Sequence, residues 1–189
     1  MARSKNKRKN KKQTTARPKL SLKNYIIKVA RKLPLHECLI FEGWEELGKT
    51  QLVVSRRKPN GNIIIGFYMV DLWCMGLKDT FYREAEEWEY EEIKGQISRG
   101  ASEDDFEVIR TDPEIAFNVI YGAIEYAEDL GFSPAKEFAV TEYILDDVEQ
   151  IPFVDITFGK DGRPLYTSGP DDNVDRILKT LDKFVGKGN

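Results

Sequence analysis

The first 36 residues contain neither Asp nor Glu but hold thirteen Lys and Arg, while residues 37–189 carry sixteen basic against thirty-two acidic side chains. The formal net charge of −3 is thus the sum of two opposites. Cysteine is scarce as well. Cys38 and Cys74 are the only two, and no apolar signal precedes them, which argues against a disulfide scaffold and for free thiols in a reducing cytoplasm. No cysteines stand two to four apart, the spacing by which zinc sites announce themselves, so neither a metal nor a cofactor is expected. No apolar run approaches the roughly 18 residues that span a bilayer, and the start is too polar for the core of a signal peptide. A soluble protein is expected.

What is present is a polar tail and a globular body. Met1–Pro18 mixes Lys, Arg, Asn, Gln and Thr with almost nothing apolar, so ordering it alone costs backbone entropy with no burial to offset it. Residues 19–189 hold enough apolar sequence for one well-cored domain. From Ser21, a suitable N-cap, the residues Leu22, Tyr25, Ile26, Val29, Ala30 and Leu33 fall on one helical stripe that ends before Pro34. Lys23, Lys28, Arg31 and Lys32 lie off that stripe, so the helix can dock by its apolar side and carry the basic surface outward.

Strands are expected at Glu37–Phe41, Gln51–Lys58 and Asn62–Leu72, the last two joined by Pro59-Asn60-Gly61, a strong hairpin signal. Tyr82–Ser98 reads as an acidic surface helix with Ala85, Trp88, Ile93 and Ile97 inward and Glu84, Glu86, Glu87, Glu89, Glu91 and Glu92 outward. Gly100–Asp105 reads as a loop. Asp112 and Pro113 open a helix with Ile115, Val119, Ile120, Ala123, Ala127 and Leu130 on its core face, stopped at Gly131. A short helix covers Glu137–Leu145. A second hairpin is expected from Val154–Phe158 and Pro164–Ser168 around Lys160-Asp161-Gly162. A last helix begins at Asp172, apolar at Val174, Ile177, Leu178, Leu181 and Val185. The order of elements predicts an α+β fold with antiparallel pairing.

Two stretches carry a resemblance. Val70-Asp71-Leu72-Trp73-Cys74-Met75-Gly76-Leu77-Lys78-Asp79 forms the first, and Phe158-Gly159-Lys160-Asp161-Gly162-Arg163-Pro164-Leu165-Tyr166 the core of the second. The chain resembles a bacterial family of uncharacterised proteins that share such blocks. The resemblance implies no reaction, cofactor or partner.

The tail carries the functional expectation. Lys and Arg that neutralise phosphates release condensed cations, giving affinity without sequence readout and a steep salt dependence, and a flexible basic segment suits RNA. The expected contacts are Arg3, Lys5, Lys7, Arg8, Lys9, Lys11, Lys12, Arg17 and Lys19, continued by Lys23, Lys28, Arg31 and Lys32. The expected function is non-enzymatic association with nucleic acid, RNA or a ribonucleoprotein ahead of anionic lipid, because the helical stripe lacks Trp and Phe. A solubility tail or a cleaved leader is the plain alternative. Acidic residues of the Glu84–Glu92 segment are a competing intramolecular partner for the same charges.

A rival expectation places an enzymatic or protein-interaction site on the body around His36, Asp71, Cys74 and Lys78. If His36–Phe41 is a strand, His36 and Cys38 share a face, and Cys74 could act as a nucleophile should His36 meet it and Asp71 orient the ring. Each residue also has a plain structural role. Buried cysteine is commonly inert, and Asp71 can accept backbone N–H groups in the turn while Lys78 pairs with it. Gly159, Gly162 and Gly169 match no phosphate-loop spacing.

Overall fold

The computed structural model describes residues 20–103, 106–170 and 172–185. The tail Met1–Pro18, with Lys19, lies outside them, as do the end of the expected Gly100–Asp105 loop and the side chain of Val185.

Among the described residues, strands β1 (Leu35–Phe41), β2 (Lys49–Arg57), β3 (Ile63–Asp71), β4 (Gly76–Ala85) and β5 (Val108–Arg110) form one antiparallel sheet in the order β4-β3-β2-β1-β5. β1 to β4 run as a meander. Helix α2 (Trp44–Leu47) caps the β1–β2 connection, and α3 (Glu87–Glu103) crosses from the β4 edge to β5. Helices α1 (Leu22–Val29), α4 (Pro113–Asp129) and α5 (Phe138–Thr141) cover the opposite face, and α6 (Val174–Val185) ends the chain. The fold is α+β.

The central strands read as nearly continuous apolar runs because both faces are buried. Toward α4, Cys38, Ile40, Leu52, Val54, Ile64 and Tyr68 join Phe117, Ile120 and Ala123 in the main core. Toward α3, Leu39, Val53, Ile63 and Ile65 pack with Tyr90 and Ile93 in a smaller one. α1 starts as expected, with the Ser21 hydroxyl accepting the Asn24 amide at 3.4 Å, and docks through fully buried Ile26, Ala30 in the turn that follows, and Leu33. Each large apolar side chain so buried is worth about 1.5–3 kcal/mol.

The β2–β3 hairpin forms around Lys58–Asn62. Gly61 at φ 90° supplies its left-handed residue, and the Lys58 amide donates to the Asn62 carbonyl at 2.8 Å.

The structure corrects four expectations. Tyr82–Ala85 is the end of β4, not the start of a helix: Phe81 and Tyr82 favour a pleated surface, and pairing with β3 outweighs the helix preference of Ala85 and the glutamates. Trp88 consequently points outward at 66% exposure, and Tyr90 replaces it as the buried anchor of α3. α3 also runs on through Gly100 to Glu103. The turn at Asp161-Gly162 is present, with both residues at positive φ, but only the Lys160–Arg163 bridge forms; Val154–Phe158 and Pro164–Ser168 do not form strands. β5 was not expected from the sequence; three residues of Val-Ile-Arg carry no period, and β1 recruits them by antiparallel pairing.

Candidate functional site

Of the expected basic contacts, Arg3, Lys5, Lys7, Arg8, Lys9, Lys11, Lys12, Arg17 and Lys19 lie outside the described residues. Lys23, Lys28 and Lys32 are exposed on α1 and the turn after it. Arg31 departs from the group. Its Nε donates to the Leu145 carbonyl at 3.1 Å, its terminal nitrogens reach the Glu142 carbonyl and Asp147, and its guanidinium stacks 5.0 Å over Tyr143. It ties α1 to the segment after α5 instead of facing outward.

The expected acidic counter-surface is largely engaged by the body itself. Lys58 and the Asn62 amide hold Glu84, Arg57 holds Glu87 at 2.8 Å, Arg83 holds Glu89 and Lys94 holds Glu91 at 3.2 Å. The Trp88 indole donates to Glu86 at 2.8 Å. Such pairs are weak one by one in solvent, but they orient these carboxylates toward the body's own cations.

His36 does not share a face with Cys38. The β1–β2 register shifts between Leu35 and Glu37, and such a bulge re-aims a side chain. The imidazole packs edge-on against Tyr90 of α3, with ring centres 5.3 Å apart, while Cys38 points into the main core. Burial first, and then the Arg57 guanidinium, hold the imidazole below its ordinary value of 6.5. Beside it lies Glu37, which the sequence reading passed over. Its buried carboxylate sits 3.0 Å from the Lys94 ammonium and 2.6 Å from Arg110, although neither approach is an aligned hydrogen bond. Burial pushes that carboxyl up, but the facing Tyr90 hydroxyl, Lys94 and Arg110 outweigh burial and leave it below its usual range. A Glu in the middle of an apolar strand was the available signal.

Arg56 closes this end. Its buried guanidinium donates to the carbonyls of Ile144 at 2.6 Å and Leu33 at 2.7 Å, and it pairs with Asp146 at 2.5 Å.

Asp71, Cys74 and Lys78 occupy the other end of the sheet. β2 pairs Leu35 with Arg56 at one end and Asp71 with Lys49 at the other, a separation of about 23 Å at roughly 3.3 Å per residue. His36 therefore cannot activate Cys74. Burial pushes both the Cys38 and Cys74 thiols up to about 12, the opposite of a reactive thiolate. Asp71 serves the turn: one oxygen accepts the Trp73 amide at 2.9 Å and the Cys74 amide at 3.0 Å. Burial raises its carboxyl despite those donors.

Lys78 does not pair with Asp71. It reaches Asp172, 94 residues away, at 3.0 Å, and the same carboxylate accepts the Gly169 amide at 2.7 Å and the Tyr166 hydroxyl at 3.1 Å. Burial pushes the Asp172 carboxyl up, and the Gly169 amide with Lys78 more than offsets that, leaving it below the ordinary range. Asp172 thereby latches the 158–169 segment across the sheet end. The Gly159 amide donates to the Leu72 carbonyl at 3.0 Å and the Leu165 amide to the Trp73 carbonyl at 3.1 Å, so the two blocks that carry the family resemblance are neighbours in space.

Between this strap and the strand ends lies a pocket of about 290 Å³. Phe41, Trp73 and Phe106 supply aromatic walls; Lys49, Asp71 and Lys78 are among its polar lining. Gly48 is a condition of its shape, since at φ 66° a Cβ there would overlap the Trp73 indole. Gly76 does the same on the core side, where a Cβ would lie 2.6 Å from that of Ala127. Among the described residues, no group of three His, Cys, Asp or Glu side chains is placed to hold a metal ion, and no helix is long and apolar enough to cross a membrane.

These features define an α+β protein with a five-stranded antiparallel sheet, a charged network closing one end and an open pocket at the other. Comparison with known proteins finds no matching family model, no matching curated protein and no matching solved structure.

Proposed function

We propose that the protein binds RNA through its basic N-terminal segment, with the α+β body as the mount, and that it acts as a non-enzymatic component of a ribonucleoprotein in a bacterial cytoplasm. One observation carries this reading: thirteen cations and no carboxylate in residues 1–36 of a chain that is otherwise strongly acidic. Charge so segregated serves phosphate neutralisation, whose strength scales with the number of cations engaged. The docking of α1 supports it, because Lys23, Lys28 and Lys32 are then held outward on a surface fixed to the core. The pairing of the α3 glutamates with body cations supports it too, because those carboxylates already have partners. Two buried, unpaired thiols suit a reducing compartment.

Removal of residues 1–18 should abolish retention of RNA while the urea midpoint stays unchanged. In the full chain, the logarithm of affinity should fall steeply and linearly with the logarithm of salt, by about four for each decade if six contacts form on a single strand. Undiminished retention by the truncated chain ends the proposal.

A further inference from the structure

α3 covers only half of its sheet face. Beyond Ile63 and Ile65, the same face continues through Phe67 and Met69 of β3 and Phe81 of β4. Phe67 and Phe81 stack at 4.3 Å, yet Phe81 is 53% and Met69 43% exposed. This uncovered surface runs into the pocket, where Phe41 and Phe106 approach to 6.1 Å on one side and Trp73 stands on the other.

The lining selects a class of ligand. Rings on two sides favour a flat guest, since stacking needs a planar face. An alkyl chain would leave the pocket's polar groups without partners, and that is costly. Those groups are the Gln51 amide and the Thr167 and Ser168 hydroxyls, none of which hydrogen-bonds to another described side chain, together with Asp71. They both donate and accept, which suits the edge of a heteroaromatic ring. The volume admits one such ring with a sugar attached. Charge is divided around the rim. On the Trp73 side stand Lys49 and Lys160, whose ammonium lies 4.7 Å over the indole, and Arg163 is bridged to Lys160 across the turn; none of the three is in an ion pair with a described residue. On the Phe106 side, Glu42, Glu46 and Glu107 line the adjoining depression.

We propose that the pocket holds one unstacked base of a single-stranded nucleic acid whose backbone leaves along Lys160 and Arg163. This rests on the RNA reading above and gives the folded body a share in it. The basic segment supplies affinity without sequence, and the pocket supplies base preference.

Neutral nucleosides separate the two parts, because adenosine, guanosine, cytidine and uridine present no phosphate to a basic segment. Titrated into the full chain and followed by amide chemical shifts, at least one should saturate in the millimolar range, with the shifts centred on Gln51, Trp73 and Ser168. Ser168→Trp, at an exposed position, should block that binding without lowering Tm. It should also weaken the preferred homopolymer of about ten nucleotides by roughly tenfold, the lower part of what stacking one base contributes. Phe106→Ala should do the same by a different route. If no nucleoside saturates and the Trp variant binds every homopolymer as the parent does, the pocket proposal falls and the basic-segment reading stands. If nucleosides bind but the full chain retains no homopolymer at low salt, both the strand proposal and the RNA reading fall.

Discussion

Near the β1 start of the sheet, Glu37 meets Lys94 and Arg110 while Arg56 meets Asp146, and at the opposite end Lys49, Gln51, Asp71 and Ser168 line a pocket. Both groups are charged, and both sit at strand ends. In the first, the charges are spent on neighbours and on backbone carbonyls, so the groups hold elements together and have nothing left to offer a ligand. In the second, Asp172 and Asp71 secure the strap and the turn, and the remaining donors and acceptors face a cavity. Polar side chains matched within the protein act in stability, and polar side chains left unmatched beside apolar walls mark a place to bind.

Breaking the closed end should have the largest effect. Arg56→Met leaves the Ile144 and Leu33 carbonyls buried without donors, while Asp146, which is half exposed, can turn to water. A loss of about 3 kcal/mol is expected from two orphaned acceptors, measured as a lower urea midpoint at unchanged slope. Nucleoside binding at the far end should be unchanged below that midpoint.

Asp172→Asn touches the open end. It removes the charge that holds Lys78, Tyr166 and Gly169 together, so a smaller loss of about 1–2 kcal/mol is expected. Faster amide exchange at Gly169 and Leu165, with none at Glu37 or Ser55, would separate a loosened strap from general destabilisation.

The smallest effect is a pH dependence at the closed end. Because burial, with Arg57 and Lys94 nearby, holds the folded His36 below 6.5, the unfolded chain takes up the proton first as pH falls. The contribution is therefore complete above about pH 6.5 and is lost below it. Tm should fall between about pH 7 and 5, and less so in His36→Gln. The carboxyls of Glu37 and Asp172, lowered in the fold, lose their contribution only at more acid pH. An equal slope in the glutamine variant would remove His36 from the account.

Local chemistry made much of this legible in the sequence. Ser21 with the Leu22–Leu33 stripe, Asn60-Gly61 between apolar runs, and Pro113 opening a helix that stops at Gly131 depend on residues a few positions apart, and each stands in the structure where its spacing predicts, although the Asp112 side chain makes no capping hydrogen bond. Asp71 as the acceptor of backbone amides in its turn is equally local, and that geometry is the one present.

The sequence by itself determined the charge segregation, the α+β class and most element starts, because these depend on composition and on contacts within a turn or two of chain. Only the tertiary structure decided which end of the sheet is open. The β1 bulge that turns His36 away from Cys38 depends on pairing with β2, and the union of Lys78 with Asp172 spans 94 residues. The conversion of Tyr82–Ala85 to strand required β3 as a partner. In each case a distant segment outweighed a local preference worth less than about 1 kcal/mol per residue, and periodicity carries no record of such partners.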